Sequence, residues 1–550
     1  MNAPAAPERI IVLTPYIRSN NGHHASMAMA IAEAARKRGL SVDIVVQKGG
    51  VDPELIARMG ARDLLPPLSI PWVLPDNPAR PDYRLSFRLG ALFAEHAHVL
   101  DPLIDDRPTL IVVDGLQPAT FFGLASWLRD RHPDKPVGVL HMAIAFNMID
   151  LQTGMPSSHR EVYAALLSAI DDARSDIAVF GRRYQRDFEA FTGQAATYYP
   201  MPMDLSDIPR SVPGAERPLT IVVNTASRGS VDAAVACVRD RFVRHHFKPR
   251  LKLASWGLIS DDDMRRLTES GAPVIGRGIT RAEYADVFRT KGALVLAYSA
   301  LQYRRQTSGV MTEAAAAGLV TVVPAETWMS DCIEEELAAG VAFDGLTGRD
   351  LVRALKTVHR RWDDFADLAG RRADDMRRAH SAAPFVDQAI KAFPRILGSA
   401  RVYGHPAGQR LGFERGEGAH HLYEGWSFAE EWGRWQEGDR AGLRIYVTPA
   451  DGALRAARPR RLRVEAMGLS PKGGAQAVDV RANGVAIGQC RFDGGARQTF
   501  DLPLPAEAQS PDLRLEFHVL HPVRPVDLGI NKDARRLGLG LISLTVIEDA

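Results

Sequence analysis

The stretch ALVLAYSALQYRRQTSGVMTEAAAAGLVTVV, residues 293–323, decides the fold of this chain. The apolar run 293–297 predicts a buried strand, and Thr307-Ser308-Gly309 after a polar loop predicts the N-terminal cap of a helix. A second apolar run, 319–323, predicts the next strand. Strand, capped helix and strand in this order indicate a βαβ unit of a parallel sheet.

The start of this helix has the features of an anion site. Backbone N–H groups at a helix N-terminus attract phosphate groups. Arg304 and Arg305 come just before it and add two guanidinium groups that can hold a diphosphate. Glu313 lies about one turn further along, where a carboxylate can accept hydrogen bonds from a ribose. The alternative is an ordinary βαβ unit with a capped helix.

This segment resembles the nucleotide-binding segment of GT-B glycosyltransferases, especially the large retaining family that uses nucleotide-activated sugars. That family often has an acidic residue eight positions before the helix glutamate. Arg305 stands there, so only Glu313 matches. The resemblance covers about residues 9–395. It implies two Rossmann-like domains across a cleft, the first binding an acceptor and the second a nucleotide sugar.

Composition bounds the class of protein. A chain of 550 residues has room for about three domains, and 46% apolar with 24% charged residues is typical of a soluble globular protein. The net charge of +2 does not favour a nucleic-acid partner. Cys237, Cys332 and Cys490 lie far apart without C-x-x-C spacing, which argues against a zinc cluster or disulfide framework and indicates a reducing compartment. No signal peptide and no membrane-spanning run are visible, so we expect a cytoplasmic protein, with the inner face of the membrane as a candidate location.

Apolar runs alternate with helical patterns from residue 9 to residue 396, which predicts parallel sheets covered on both faces. The proline-rich stretch 199–218 interrupts the alternation and predicts a linker. Helical patterns at 349–380 and 384–396 could cross back to the first domain, as they do in GT-B proteins. We therefore predict a Rossmann-like acceptor domain at 1–205 and a Rossmann-like nucleotide-sugar domain with cross-back helices at 206–400.

Beyond residue 400 the pattern changes to short, regularly spaced strands, and Asn483-Gly484 is a strong hairpin signal. This predicts an all-β sandwich at 401–550, which resembles an accessory domain attached to bacterial glycosyltransferases. Because tryptophan faces stack on sugar rings, Trp426, Trp432 and Trp435 are candidate glycan contacts, with burial in the core as the alternative.

The loop after the first strand resembles the glycine-rich first loop of retaining GT-B enzymes, which passes close to the donor phosphates and the acceptor. Asn21, Gly22 and His23 are its candidate contacts. Ligands of doubly wound sheets bind beyond the carboxyl ends of the strands, so the loop faces the cleft. The alternative is that His23 and His24 are solvated residues at a helix start.

Two further strand ends supply catalytic candidates. His141 closes the predicted strand 137–140, and a histidine commonly occupies this place near the donor sugar in the resembled family. Asp114 ends the predicted strand 110–113, where a carboxylate could bind an acceptor hydroxyl. The alternatives are a structural histidine and ordinary Asp-Gly turn chemistry.

The first loop of the second domain holds a further donor candidate. The resembled family places an arginine there and a lysine a few residues later, both on the diphosphate. Arg228 matches the arginine, but Ala233 stands in the place of the lysine. Arg304 or Arg305 could supply the missing charge.

The resemblance implies transfer of a sugar from a nucleotide-sugar donor to a glycan or lipid-linked glycan, with retention and without a metal or other cofactor. Bacterial surface polysaccharide synthesis is the expected setting, with peripheral membrane association as an option. One alternative is a nucleotide-sugar epimerase of the GT-B type, which acts without an acceptor. The other is a non-catalytic glycan-binding protein, which would not bind nucleoside diphosphates.

Overall fold

The computed structural model describes residues 6–15, 17, 23–49, 51–66, 92–115, 118–132, 134–143, 174–192, 196–214, 216–224, 229–253, 260–276, 281–304, 306–398, 404–416, 418, 421–448, 459–510 and 512–548.

The first domain is built on a parallel sheet. Its strands are β1 (Arg9–Thr14), β2 (Ser41–Gln47), β3 (Ala61–Leu65), β4 (Thr109–Asp114), β5 (Val137–Ala143), β6 (Ser175–Val179) and β7 (Thr197–Tyr198). Its helices are α1 (His23–Arg36), α2 (Pro53–Met59), α3 (Pro118–Arg131) and α4 (Arg182–Thr192), with a 3₁₀ helix at Ala97–Leu103. Within the described residues the strand order is β3-β2-β1-β4-β5-β6-β7, so the order reverses between β1 and β4.

The second domain repeats this architecture. Its strands are β8 (Pro218–Val223), β9 (Lys248–Leu253), β10 (Val274–Ile275), β11 (Ala293–Ala297), β12 (Val320–Pro324) and β13 (Gly340–Phe343). Its helices are α5 (Ser230–Arg239), α6 (Arg241–His246), α7 (Asp261–Thr268), α8 (Arg281–Asp286), α9 (Ala300–Tyr303), α10 (Gly309–Ala317), α11 (Trp328–Glu334), α12 (Gly348–Arg360), α13 (Trp362–Ala379) and α14 (Ala382–Gly398). In the described part of this sheet the order is β10-β9-β8-β11-β12-β13, again all parallel.

Several elements differ from the sequence prediction in their bounds, and two of these differences have a clear local cause. The sequence predicts one helical pattern at 231–243, but two helices form there. The Asp240 side chain accepts hydrogen bonds from the backbone N–H groups of Phe242 and Val243 and caps α6. Strand β5 does not end at residue 140. It continues because Met142 and Ala143 pair with β6, so His141 lies inside a strand and not at its end.

The last helix returns to the first domain. Helix α14 packs on α1 and β5, and a Cβ at Gly138 of β5 would come within 2.7 Å of Ile396. Arg38 of α1 forms an ion pair with Asp387 of α14. The carboxyl-terminal helix of the second domain is therefore part of the core of the first.

Between β7 and β8 the described residues of the predicted linker form no helix or longer strand, but they are anchored. The Arg377 guanidinium of α13 donates hydrogen bonds to the carbonyl oxygens of Leu205 at 2.7 Å and Ile208 at 2.6 Å. It also donates to the carbonyl oxygen of Ala316 in α10, at 3.0 Å. Further backbone hydrogen bonds join Met203 to His380, Ser211 to Ala317 and Val212 to Arg289, so the linker is fixed to the second domain at several places.

The remaining strands form two mainly antiparallel sheets. They are β14 (Gly404–Pro406), β15 (Arg410–Gly412), β16 (Leu422–Glu424), β17 (Trp426–Glu430), β18 (Gly433–Glu437), β19 (Arg440–Thr448), β20 (Pro459–Gly468), β21 (Gln476–Ala482), β22 (Val485–Phe492), β23 (Gln498–Pro503), β24 (Asp512–Val519) and β25 (Leu537–Glu548). Residues of both sheets share one apolar core, so the predicted sandwich is confirmed. Asn483 and Gly484, with φ of 49° and 82°, form the predicted hairpin between β21 and β22.

The sandwich tryptophans divide into two groups. Trp426 is buried, packs edge-on against Phe517 and donates its indole N–H to the Gly442 carbonyl at 2.8 Å. It belongs to the core, so its candidate role as a glycan contact is wrong. Trp432 and Trp435 are half-buried and pack against each other, with ring centroids 5.2 Å apart.

Candidate functional site

The two parallel sheets each have one place where the strand order reverses. In the first sheet it lies between β1 and β4, and in the second between β8 and β11. Open parallel sheets bind ligands beyond the carboxyl ends of the strands at this place. The candidate site is therefore built from the residues that follow these four strands.

At the first reversal, Asp114 ends β4 and meets His24 of α1. The Nδ1 atom of His24 lies 2.6 Å from the Oδ2 atom of Asp114. Asp114 is buried, and its Oδ1 atom has no hydrogen-bond partner among the described residues. The side chain of His24 is 19% exposed. Burial opposes protonation of His24, but the charge and hydrogen bond of Asp114 outweigh it and raise the pKa of His24.

The sequence singles out Asp114 as a catalytic candidate but gives His24 no such role, and it leaves open that His24 is a solvated residue at a helix start. The only available signal was a histidine in the first turn of the helix that follows the first strand. That signal becomes specific only when β4 brings a carboxylate within hydrogen-bond distance. Asp114 and His24 are 90 residues apart in the sequence, so no short motif contains both of them.

His141 lies on the other face of the same sheet. It is in register with Val113 of β4, whereas Asp114 is in register with Met142, so His141 and Asp114 point to opposite faces. His141 packs against Phe121 of α3, with ring centroids 4.4 Å apart. Burial lowers the pKa of His141 to about 3, which makes the imidazole neutral near pH 7. Its Nδ1 atom is buried without a hydrogen-bond partner in the described ranges.

Several of the other predicted contacts lie where the structure gives no side-chain information. Asn21, Gly22, Arg228 and Arg305 lie outside the described residues. His23 is the first residue of α1, and its side chain also lies outside the described part. Their roles stay predictions.

At the second reversal, α10 starts as predicted. Ser308 is its N-cap, and the Ser308 hydroxyl accepts a hydrogen bond from the Met311 N–H at 3.3 Å. Gly309 is the first helical residue. The Thr307 hydroxyl is buried and lacks a hydrogen-bond partner among the residues that the structure describes. The backbone N–H groups of this first turn supply the positive end of the helix dipole.

Arg304 lies at the boundary between the two domains. Its guanidinium Nη1 is 3.0 Å from Glu326 Oε2, and its Nε is 3.4 Å from Asp187 Oδ2 of α4. Nearby, Arg183 of α4 pairs with Asp331 of α11 at 2.8 Å. A diphosphate at Arg304 would thus compete with two carboxylates, one from each domain.

Glu313 of α10 is completely buried. Its carboxylate accepts a hydrogen bond from the Tyr284 hydroxyl of α8. Lys252 near the end of β9 is also buried, with its Nζ 3.4 Å from the centroid of the Tyr284 ring. Position 233, where the resembled family has a lysine, holds alanine, and the sequence motifs do not single out Lys252. A lysine between two leucines of a buried strand was the signal that could have found it.

A second aromatic group stands beside this cluster. Tyr298, which follows β11, stacks on Tyr303 of α9 with ring centroids 4.3 Å apart. Asn224, which follows β8, donates a hydrogen bond from its amide to the Tyr303 hydroxyl at 2.8 Å. Burial raises the pKa of Tyr303 to about 12, so its hydroxyl stays protonated at neutral pH. Tyr303 thereby links the residue that follows β8 to the residue that follows β11.

The structure also bears on metals and membranes. In the described ranges, no group of three His, Cys, Asp or Glu side chains is arranged to hold a metal ion. Among the described helices, none combines the length and the hydropathy that a membrane span needs. The three cysteines are buried free thiols.

No protein-family model and no curated protein matches the chain. Its structure is similar to that of a glycosyltransferase from Rickettsia africae ESF-5, with 10% identity and a TM-score of 0.50, over 71% of this chain and 99% of that one. It is also similar to HepE from Anabaena in complex with UDP-glucose, with 11% identity and a TM-score of 0.49, over 71% and 99% of the two chains. A third similar structure is sucrose-phosphate synthase from Thermosynechococcus elongatus, with 14% identity and a TM-score of 0.47, over 71% and 99%. Identities this low show only that the fold is similar. The Rickettsia structure supports the GT-B arrangement of two Rossmann-like domains. In this chain a β-sandwich follows them.

Proposed function

We propose that this protein is a glycosyltransferase that moves a sugar from a nucleotide-sugar donor to a hydroxyl group of a glycan or lipid-linked glycan. The observation that carries the proposal is the hydrogen-bonded pair of His24 and Asp114 at the strand-order reversal of the first sheet. The protein of similar fold from Rickettsia is a glycosyltransferase, and that activity is the one proposed for this chain. Bacterial surface polysaccharide synthesis is the proposed setting.

The pair has the chemistry of a general base. As the acceptor oxygen attacks C1 of the donor sugar, its proton passes to Nε2 of His24. The bond between C1 and the diphosphate oxygen breaks, and the nucleoside diphosphate leaves with the bonding electrons. Asp114 holds the Nδ1–H tautomer and stabilises the imidazolium that forms.

The second domain is proposed to bind the donor. The first turn of α10 and Arg304 would hold the diphosphate and stabilise its charge as it departs, so the reaction would need no metal. Glu313 would accept hydrogen bonds from the ribose in place of the Tyr284 hydroxyl. We assign acceptor binding to residues 1–205, donor binding to 206–400 and an accessory role to 401–550.

The stereochemistry of transfer is a separate part of the proposal. The resemblance implies retention. In an inverting displacement the acceptor attacks from the face opposite the diphosphate, and a general base takes its proton. The pair of His24 and Asp114 has the chemistry of such a base. We take inversion as the second candidate on that observation. The anomeric proton couplings of the product, measured by NMR, decide between them.

The test uses the full-length protein with a panel of nucleotide sugars. Thermal stabilisation identifies the donor, since a ligand that binds only the folded state raises apparent stability. Transfer is then measured with candidate acceptors. His24→Ala should lose roughly a hundredfold to ten-thousandfold in turnover and keep donor affinity. His141→Ala tests the other predicted catalytic histidine, and we expect it to lose less because His141 lies on the opposite face of the sheet.

Three outcomes contradict the proposal. Conversion of the donor to an epimer without an acceptor would identify an epimerase. Absence of binding to every nucleoside diphosphate would identify a non-catalytic protein. Full turnover by His24→Ala would remove the pair from the reaction.

A further inference from the structure

The loop at residues 520–536, between β24 and β25 of the sandwich, exposes large apolar side chains. Leu520 is 47% exposed, Val526 43% and Ile530 60%. Six large apolar side chains are exposed across the described residues, and half of them lie in this loop. Single exposed apolar residues are common, so it is the grouping of three in one loop that makes this loop a candidate interaction surface.

The loop is ordered by its own hydrogen bonds. Its base is closed by two backbone hydrogen bonds between Val523 and Leu537, both 2.8 Å long. At its tip the Ile530 N–H donates to the Pro525 carbonyl at 3.0 Å, and the Gly529 N–H donates to the Val526 carbonyl at 3.2 Å. Val526 and Ile530 therefore belong to the same turn. Their exposure is a fixed property of the loop.

Basic residues flank this apolar tip in the sequence. Arg524, Lys532 and Arg536 are all exposed. Arg535 is different, because its side chain is only 10% exposed and pairs with Asp533 and Glu430. Asp527 is the one exposed acidic residue of the loop. The exposed surface of the loop thus combines apolar groups with a net positive charge.

We propose that the 520–536 loop binds the surface of a membrane that contains anionic lipids. Val526 and Ile530 would enter the boundary between headgroups and acyl chains, while Arg524, Lys532 and Arg536 contact lipid phosphates. The combination of an apolar tip and basic flanks favours a lipid surface. A glycan has no apolar interior for the tip to enter, and a neutral protein surface has no negative charge to attract the basic residues. Such binding would hold the enzyme beside a lipid-linked acceptor, but it does not depend on the proposed catalytic activity.

The experiment is co-sedimentation of the full-length protein with phosphatidylcholine vesicles, with and without phosphatidylglycerol. We expect binding only to the anionic vesicles, weakened by added salt. Replacing Arg524, Lys532 and Arg536 with Gln should weaken binding by about fivefold for each charge. The double variant Val526→Ser and Ile530→Ser should weaken it by about tenfold or more.

Val212→Ser is the matched control, because Val212 of the linker is also 60% exposed but lies outside the loop. It should bind like the unmodified protein, and thermal unfolding should show that all variants are folded. Equal vesicle binding by the loop variants and the control would overturn the proposal. So would a lack of binding to anionic vesicles. A dimer in sedimentation velocity that the Ser variants convert to monomers, without vesicle binding, would assign the loop to self-association instead.

Discussion

At the scale of single residues, His24 and Asp114 show how burial and charge act together. Asp114 raises the pKa of His24 above its ordinary value of 6.5 against the effect of burial. The stabilisation that the pair gives the folded state is therefore complete below about pH 6.5, and it is lost as the pH rises through the folded-state pKa. A base must be unprotonated to act, so activity should rise over the same range.

Asp114→Asn tests this arrangement. It removes the charge that raises the pKa of His24 but keeps a similar shape. The acid limb of the kcat/KM profile should move to lower pH, and the maximal rate should fall because the imidazolium loses its stabilising partner. Rates measured across pH at low and at saturating acceptor concentrations give kcat/KM and kcat, and so check both effects. An unchanged acid limb would mean that another group is the base.

Arg304 gives a second prediction for single residues. Arg304→Ala should weaken nucleoside diphosphate binding by about 2 kcal/mol, the scale of a charge-assisted hydrogen bond. Asp187→Asn and Glu326→Gln should have the opposite effect, because they remove the carboxylates that compete for this guanidinium. Asp331→Asn is the control, since its partner is Arg183. Calorimetric titration with the diphosphate measures all four, and weaker binding by Asp187→Asn would show that the interdomain contact matters more than the competition.

At the scale of elements, α10 joins donor binding to the core of the second domain. Its residues from Met311 to Ala317 are buried, and Gly318 ends it in the left-handed conformation with φ of 83°. Glu313 is thus a carboxylate on a buried helix with a tyrosine hydroxyl as its donor. A functional role and a structural role for Glu313 make different predictions.

Glu313→Gln should lower donor affinity, because a neutral amide accepts weaker hydrogen bonds from ribose hydroxyls, while the fold survives. Tyr284→Phe is the companion variant, since it removes the hydroxyl that occupies the carboxylate. We expect Tyr284→Phe to bind a ribonucleoside diphosphate at least as tightly as the unmodified protein. Titration of each variant with the ribose and the 2′-deoxyribose forms of the nucleoside diphosphate compares their affinities. Loss of folding in Glu313→Gln with normal donor binding by the remaining folded fraction would make Glu313 a structural residue.

At the scale of the whole molecule, the described residues form two Rossmann-like domains and a β-sandwich, and these three parts are not equally independent. The sandwich has its own apolar core. The two Rossmann-like domains share apolar contacts, because α14 and the linker carry residues of the second half into the core of the first. Removal of the sandwich and removal of α14 should therefore have different results.

A chain that ends at Gly398 keeps α14 and should stay folded and bind nucleoside diphosphate. A chain that ends at Ser381 lacks α14 and uncovers the apolar faces of α1 and β5, so it should aggregate. Size-exclusion chromatography and nucleotide titration distinguish the two. If the longer chain also aggregates, the sandwich is an integral part of the GT-B body.

The sequence by itself determined the alternation of strands and helices, the capped start of α10 and the hairpin at Asn483-Gly484. These features depend on neighbours within a few residues, through hydrophobic periodicity, capping hydrogen bonds and backbone φ. Only the tertiary structure decided that His24 meets Asp114, that His141 faces the other side of the sheet and that Tyr284 reaches Glu313. Each of these contacts joins residues far apart in the chain, or depends on strand register, because strand pairing and helix packing bring together side chains whose spacing in the sequence carries no signal.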